Sequence, residues 1–197
     1  MLRLVTAPTG DIITVAQFKS HARIDISDDD TLIQIYINAA IDHLDGRDGI
    51  LGRALRPQTW EYVISCFPHE GILLPRPPTI DVDSVKYLDS SQALQTLSAS
   101  AYRVIQGGGG GSIIRLNDGY VWPVLSGEPD SVRVQFQCGY QDSGSPAVTT
   151  VPEAIQHAIY LLVAHWYENR EAVSAGNVKS MPFGVERLLS PYMEHAV

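Results

Sequence analysis

Basic residues are scarce in this chain of 197 residues. Lysine and arginine number 14 against 22 aspartates and glutamates, so the formal net charge is −8. Proteins that bind duplex DNA generally neutralise its phosphates with clustered Lys and Arg. The composition therefore argues against a general DNA-binding protein, although it leaves open a protein that DNA passes without adhering.

Cysteines and long apolar runs are also few. The chain has only Cys66 and Cys138, both in segments that we predict to be strands. Because an intracellular setting keeps thiols reduced, we expect two buried free thiols rather than a disulfide. The N-terminal stretch lacks the apolar core of a secretory signal, and no run reaches membrane-spanning length without charges. These features predict a protein that folds in a cytoplasm.

Motifs that carry catalysis or bind cofactors are missing. Gly107 to Gly111 are five consecutive glycines, but no Gly-Lys-Ser/Thr follows, so a hairpin tip is favoured over a phosphate loop. Asp28, Asp29 and Asp30 lack the alternating acids of a calcium loop and are typical of helix capping. No Gly-x-Ser-x-Gly elbow is present. We predict no catalytic residue, no cofactor and no enzyme activity.

The histidines do not form an evident metal site. His165 and Glu168 are an i, i+3 pair on one helix, but no comparable pair stands on the other helices. His157 is two turns away from His165, and His21 is single. Hydrogen-bonded interior or interface histidines are therefore favoured over metal ligands.

What the sequence does contain is one long apolar helix, predicted from Val151 to Arg170. Thr149 and Thr150 offer capping hydroxyls, and Pro152 suits a first turn. The residues at helical spacing on one face are Ile155, Ala158, Ile159, Leu162 and Trp166, while Tyr160, Leu161 and Val163 point elsewhere. A helix that is apolar around most of its circumference is either the centre of a core or packs partly against a neighbouring subunit.

The rest of the chain predicts an α+β fold. Two shorter helices precede residue 46, with Thr14 capping the first. From residue 57 to 140 the period changes to two, as in Val132, Val134, Phe136 and Cys138, which predicts an inserted antiparallel β module. Pro77 and Pro78 are expected to form a stiff, exposed elbow within it. Residues 1–56 and 141–197 would then form a small helical bundle that ends in an amphipathic C-terminal tail.

Several segments together resemble one family. They are TVAQFKSHARID, DDDTLIQIYINAAIDHLDGRDGI, LRPQTWEYVISCFP, ILLPRPPTIDVDSVKYLD, AYRV, Trp122-Pro123, VQFQCGY, VPEAIQHAIYLLVAHWYENRE and MPFGVERLLSPY. In order and spacing they resemble the head-to-tail connector (adaptor) proteins of long-tailed phages, prophages and gene transfer agents, in the longer subgroup with a β insertion. The five-glycine loop and the tail after Pro191 have no counterpart that we can match.

The resemblance implies a structural function. Such adaptors form a ring, usually of twelve copies, beneath the portal, where they extend the DNA channel and provide the docking surface for a stopper or tail-terminator ring. This implies a homo-oligomer in the neck of a virion or similar particle, assembled in the host cytoplasm, through which DNA passes without specific binding and without contact to a membrane.

The resemblance also directs attention to two sets of residues. The C-terminal segment of the family tends to reach the portal, which here corresponds to about residues 181–197. We predict a portal interface at Val185, Leu188, Leu189 and Tyr192. The second apolar face of the long helix predicts a subunit interface at Tyr160, Leu161, Trp166 and Tyr167. Two alternatives stay open: a small metal-dependent hydrolase that uses acidic residues, and a carbohydrate- or protein-binding β module with helical flanks.

Overall fold

The fold is known from a computed structural model that describes residues 1–45, 49–107, 111–143, 149–170 and 183–194. The chain divides into two compact units. A β unit comprises residues 1–10 and 56–141, and a helical unit comprises residues 11–55 and 142–197. The described residues contain four α-helices and two antiparallel sheets, which confirms the predicted α+β class.

The β unit contains a five-stranded and a three-stranded sheet. The larger sheet has the order β1-β2-β8-β4-β5, and the smaller one has the order β3-β7-β6. The strands are β1 (Leu2–Thr6), β2 (Gln58–Ile64), β3 (Ile72–Leu74), β4 (Thr79–Leu88), β5 (Leu94–Thr96), β6 (Tyr102–Gln106), β7 (Ser112–Leu116) and β8 (Val132–Cys138). The N-terminal strand β1 pairs antiparallel with β2.

The central strand β8 shows why this unit folds as it does. Its predicted alternation is confirmed, because Val132, Val134, Phe136 and Cys138 are fully buried while the residues between them are not. Phe136 is the register partner of Trp60 on β2 and of Val82 on β4. Burying a large apolar side chain stabilises the folded state by roughly 1.5–3 kcal/mol. The buried row on β8 is therefore a main part of the apolar core of the larger sheet.

Two expectations for the β unit were wrong. Cys66 lies in a bend after β2 and is exposed, whereas Cys138 is buried in β8 as predicted; both thiols are free. The Pro77-Pro78 elbow is not exposed either, because Pro77 is buried and Pro78 half-buried. Beside it, the guanidinium of Arg76 lies 4.7 Å from the ring centroid of Trp60. That contact joins the residue before the elbow to strand β2.

The five-glycine segment connects β6 and β7, which pair antiparallel as a hairpin requires. The N–H of Gly107 donates to the carbonyl oxygen of Gly111 at 2.6 Å. Residues 108–110 lie outside the described part of the chain. The hairpin context supports the turn interpretation over a phosphate loop, which would lead into a helix.

The helical unit contains α1 (Val15–Ala22), α2 (Asp30–Asp45), α3 (Glu153–Glu168) and α4 (Phe183–Leu189), the last followed by a 3₁₀ turn (Ser190–Tyr192). Thr14 caps α1 as predicted: the Gln17 N–H donates to its hydroxyl, and its own N–H donates to the Gln17 side chain. The long helix α3 begins after Pro152 without a side-chain cap, since the Thr149 hydroxyl accepts from Val151 instead.

The core of the helical unit is formed by all four helices and the segments beside them. Its largest fully buried side chains are Ile13, Phe18, Ile33, Ile37, Leu44, Leu51, Leu55, Ile155 and Ile159. On α3 the buried residues are Ile155, Ala158, Ile159, Leu162 and Val163, so the predicted face is correct except that Val163 replaces Trp166. None of the helices in the described ranges is long and apolar enough to cross a membrane.

Candidate assembly surfaces

The end of α3 is tied to the start of α2 by a charged cluster. The Tyr167 hydroxyl donates to Asp29 Oδ2 at 2.7 Å, and Arg170 Nη2 donates to the same oxygen at 2.8 Å. Arg170 also lies 4.9 Å from the Tyr167 ring centroid. The hydrogen bond from Tyr167 and then that from Arg170 lower the pKa of Asp29, while the bond to Asp29 raises the pKa of Tyr167. Tyr167, a predicted subunit-interface residue, therefore already contacts Asp29 and Arg170 of its own chain.

Two other predicted subunit-interface residues also contact aromatic rings of their own unit. The Tyr160 ring stacks on that of His21 with centroids 4.9 Å apart, and burial raises its pKa. His157 meets His21 edge to face at 5.9 Å. Trp166 packs edge to face against Tyr36 at 6.4 Å. These contacts cover part of both side chains, each of which remains half-buried.

Leu161 is the predicted interface residue that best fits an outward surface. It is half-buried, and it lies one turn from exposed His157 and one turn from exposed His165. Half-buried Ala164 and exposed Glu168 share the same face at helical spacing. We call His157, Leu161, Ala164, His165 and Glu168 the α3 outer stripe. It presents an apolar centre with polar flanks.

The C-terminal segment packs onto its own helical unit. Val185 and Leu189 are fully buried, and α4 packs against α3. Both side chains were predicted to contact the portal, but in this conformation they belong to the core. Leu188 and Tyr192 are half-buried, so they remain partly accessible beside exposed Glu186. The apolar periodicity of a tail does not say whether its own chain or a partner covers it.

A buried arginine fixes the end of this segment. Arg53 Nε donates to the Tyr192 carbonyl oxygen at 2.7 Å, and its Nη2 donates to Glu194 Oε1 at 2.8 Å. The Glu194 N–H donates to the carbonyl oxygen of Leu51 at 2.9 Å. Only 5% of the Arg53 side chain is accessible. Nothing in the sequence pairs positions 53 and 194, and the fold alone brings them together.

The histidines and acidic residues of the described ranges do not come together as a metal site. Within the described ranges, no group of three or more His, Cys, Asp or Glu side chains could hold a metal ion. His165 and Glu168 are both exposed on the α3 outer stripe. His21 and His157 meet although they lie on different helices, which single-sequence spacing could not reveal.

The β unit carries an exposed apolar surface that the sequence did not single out. Val121 is 84% exposed and Val124 80%, in the segment between β7 and β8. Between them, Trp122 stacks on Phe67 with ring centroids 4.4 Å apart and planes at 7°. A cavity of about 660 Å³ borders Val121 and Trp122, and another of about 360 Å³ borders Leu73.

Comparisons with known proteins show which proteins this chain resembles. A family model described as "Phage gp6-like head-tail connector protein" matches residues 12–105. Among curated proteins, none matches the sequence significantly.

Solved structures match over the whole chain. A chain in the virion of a native gene transfer agent (GTA) particle matches with a TM-score of 0.75, and one in the neck of an empty GTA particle, computed with C6 symmetry, with 0.73. A chain in the neck of a native GTA particle, computed with C12 symmetry, matches with 0.71. Each is 25% identical and covers 100% of this chain and 97% of its own length. The predicted resemblance to phage-type head-to-tail connector proteins is thereby confirmed.

Proposed function

We propose that this chain is a structural subunit of a connector ring, with twelve copies between the portal and the tail or stopper ring of a phage-like particle or gene transfer agent. The observation that carries the proposal is the fold match along the full chain to proteins of the GTA neck, one of them computed with C12 symmetry. The family model for head-tail connectors supports it independently over residues 12–105. The hydrolase alternative has no support from these comparisons.

The ring contact is proposed for the α3 outer stripe. A cyclic ring joins two different surfaces of identical subunits, so each subunit needs at least one apolar patch that the isolated chain leaves accessible. Leu161 provides such a centre, with histidines on either side. Tyr160, Trp166 and Tyr167 contribute less, because their rings already contact His21, Tyr36 and Asp29 within the chain.

The portal contact is proposed for the accessible side of the C-terminal segment. Leu188 and Tyr192 are its half-buried apolar residues. Arg53 holds the segment in place by donating a hydrogen bond to the Tyr192 carbonyl oxygen. Val185 and Leu189 support the segment from inside the core instead of meeting a partner directly. A preformed surface of this kind binds with less loss of conformational entropy than a free tail would.

The acidic composition suits a channel that DNA crosses. With a net charge of −8, the chain repels phosphates on average and offers few cations to retain them. The proposed role needs no enzyme activity and no cofactor. We place assembly in the host cytoplasm and the finished ring in the particle neck.

The proposal is tested by removing the chain from a strain that produces the particle. The expected result is DNA-filled heads that lack tails, together with free tails, and restoration of complete particles when the wild-type chain is supplied. Complete particles at normal yield without this chain would contradict the proposed function.

A further inference from the structure

We propose that the outward face of α2 is the second half of the ring contact and receives the α3 outer stripe of a neighbouring copy of this chain. The inference rests on the proposed function and deepens it, since it names the surface that the α3 outer stripe meets. A cyclic ring joins two different surfaces of identical subunits, so one outward face on each subunit is not enough.

The outward face of α2 has an exposed apolar centre. Ile35 is 56% exposed in the middle of this helix, and the buried residues of the helix lie on the opposite side. Other exposed residues flank Ile35 at helical spacing. We call the whole set the α2 outer stripe, and its members are Thr31, Ile35, Asn38, Ala39 and Asp42. Like the α3 outer stripe, it combines an apolar centre with polar ends.

The two stripes point away from a shared core in different directions. The helices α2 and α3 pack against each other, and Asp29 at the start of α2 bonds to Tyr167 and Arg170 at the end of α3. The two helices therefore run antiparallel. Each stripe lies on the side of its helix opposite the buried residues. One subunit thus offers two different outward faces, as a head-to-tail contact between identical copies requires.

Ring symmetry sets the direction in which the stripes meet. In the proposed ring of twelve copies, neighbours differ by one twelfth of a turn, about 30°. The α3 helix of a neighbour therefore keeps nearly the direction of the subunit's own α3. Because α2 and α3 of one chain are antiparallel, α2 also meets the α3 of the neighbour in an antiparallel arrangement. The contact between subunits then repeats the helix pairing inside each subunit.

One antiparallel register matches the two stripes along their length. It pairs Thr31 with Glu168, Ile35 with Ala164, Asn38 with Leu161 and Asp42 with His157. The large side chain of Ile35 then meets the small one of Ala164, as ridges-into-grooves packing prefers. The hydroxyl of Thr31 and the imidazole of His157 can each donate to the carboxylate opposite. Size and hydrogen-bonding character are therefore complementary in the same register.

Charge favours this arrangement over a parallel one. If parallel helices placed Ile35 opposite Leu161, Asp42 would face Glu168, and two like charges in direct apposition are repulsive. In the antiparallel register these two carboxylates lie about 16 Å apart along the helix axis. Charge and ring symmetry thus select the same direction, and together with the register they assign the α2 outer stripe to a second copy of this chain.

Cross-linking of assembled rings tests the contact. A chain with Ile35→Cys and Ala164→Cys, in which exposed Cys66 is replaced by Ser, is assembled on heads and treated with a short bismaleimide. Each copy contributes one thiol to each of its two neighbours, so denaturing electrophoresis should show covalent oligomers larger than the dimer. Ile35→Cys alone should stay monomeric. Ile35→Cys with Ser20→Cys, at an exposed position of α1, is the control for chance linkage and should also stay monomeric.

Two outcomes overturn the inference. A double-cysteine chain that forms rings yet stays monomeric after treatment would mean that the two stripes do not meet. Covalent dimers from Ile35→Cys alone would mean that two α2 outer stripes face each other. Neither outcome contradicts the connector function, because rings are present in both. A wild-type chain that forms no ring on heads would contradict the proposed function instead.

Paired charges test the register through assembly. Ile35→Glu should lower the yield of rings by about tenfold or more, because a carboxylate replaces the apolar centre of the contact. Ile26→Glu is the matched control and should leave the yield unchanged, since Ile26 is also 56% exposed in the helical unit but lies outside α2. Adding Ala164→Lys to Ile35→Glu should restore rings through an ion pair across the contact.

Native mass spectrometry measures the rings, and urea unfolding confirms that each variant remains folded. Normal ring yield from Ile35→Glu, or no restoration in the folded double variant, would overturn the inference.

Discussion

At the scale of single residues, Asp29 links two helices of the helical unit through its charge. It accepts hydrogen bonds from Tyr167 and Arg170, one residue inside α3 and one just beyond its end. Both bonds favour the ionised carboxylate, which explains why its pKa falls below the ordinary value of 3.8. The cluster links the start of α2 to the end of α3 without any buried charge.

The first prediction concerns Tyr167→Phe. A carboxyl whose pKa is depressed by folding contributes stability above its unfolded pKa of 3.8 and loses that contribution as pH falls through the lower, folded value. The wild type should therefore be more stable than the variant at pH 6, and the difference should shrink below about pH 4. Urea unfolding across this pH range measures it. An unchanged difference down to pH 2 would contradict the role assigned to Asp29.

Asp89 offers an internal control for that experiment. Its pKa is lowered to about 2 by hydrogen bonds from the side chains of Ser91 and Gln95, within the turn between β4 and β5. Carboxyl titration by NMR in Tyr167→Phe should show the pKa of Asp29 moving towards 3.8 while that of Asp89 stays at about 2. A shift of both would indicate a general change of the fold.

At the scale of elements, α4 is a core helix as much as a contact surface. Leu189 is fully buried, so Leu189→Ala should lower the free energy of unfolding by about 2–5 kcal/mol. Half-buried Leu188 gives the matched control, and Leu188→Ala should cost about 1 kcal/mol or less. Chemical denaturation measures both. Equal, small losses would mean that α4 is not packed on the helical unit.

The α3 outer stripe leads to a prediction about assembly. Leu161→Glu places a charge at the centre of the stripe and should prevent ring formation while the monomer stays folded. Ser20→Glu, at an exposed position of α1, is the control and should leave rings intact. Native mass spectrometry of the assembled protein distinguishes the two. Rings of normal size from Leu161→Glu would show that subunits meet elsewhere.

The elements that the sequence predicts well are those with a strong internal period. The alternation in β8 and the apolar face of α3 both appear in the structure, because burial of a whole row enforces them. The sequence does not predict β1 as a paired strand, because four of its five residues are exposed and only Leu2 is half-buried. Strand β5 has three residues, all exposed, and pairing with β4 alone defines it.

The candidate surfaces were predictable only in part, because they depend on contacts between distant residues. The spacing of Val185 and Leu189 correctly indicates an apolar face, yet α3 of the same chain covers it. Arg53 and Glu194 are 141 positions apart, and no local pattern joins them. In the sequence Val121 and Val124 look like ordinary apolar residues, and only the fold shows that both are exposed while Trp122 between them stacks on Phe67.

At the scale of the whole molecule, both contacts that we propose for assembly lie in the helical unit. The α3 outer stripe is assigned to ring neighbours and the accessible side of the C-terminal segment to the portal. Because the two assignments rest on different residues, variants at the two surfaces should separate two defects: no ring, and no attachment to heads.

The central claim is that this chain forms a ring between portal and tail, and imaging of the particle neck with the portal in view tests it most directly. Cryo-electron microscopy should show density that fits the two units of this chain in a ring of twelve copies directly beneath the portal, around an open channel. A portal joined to the tail without such a ring, or density for this chain at another position in the particle, would contradict it.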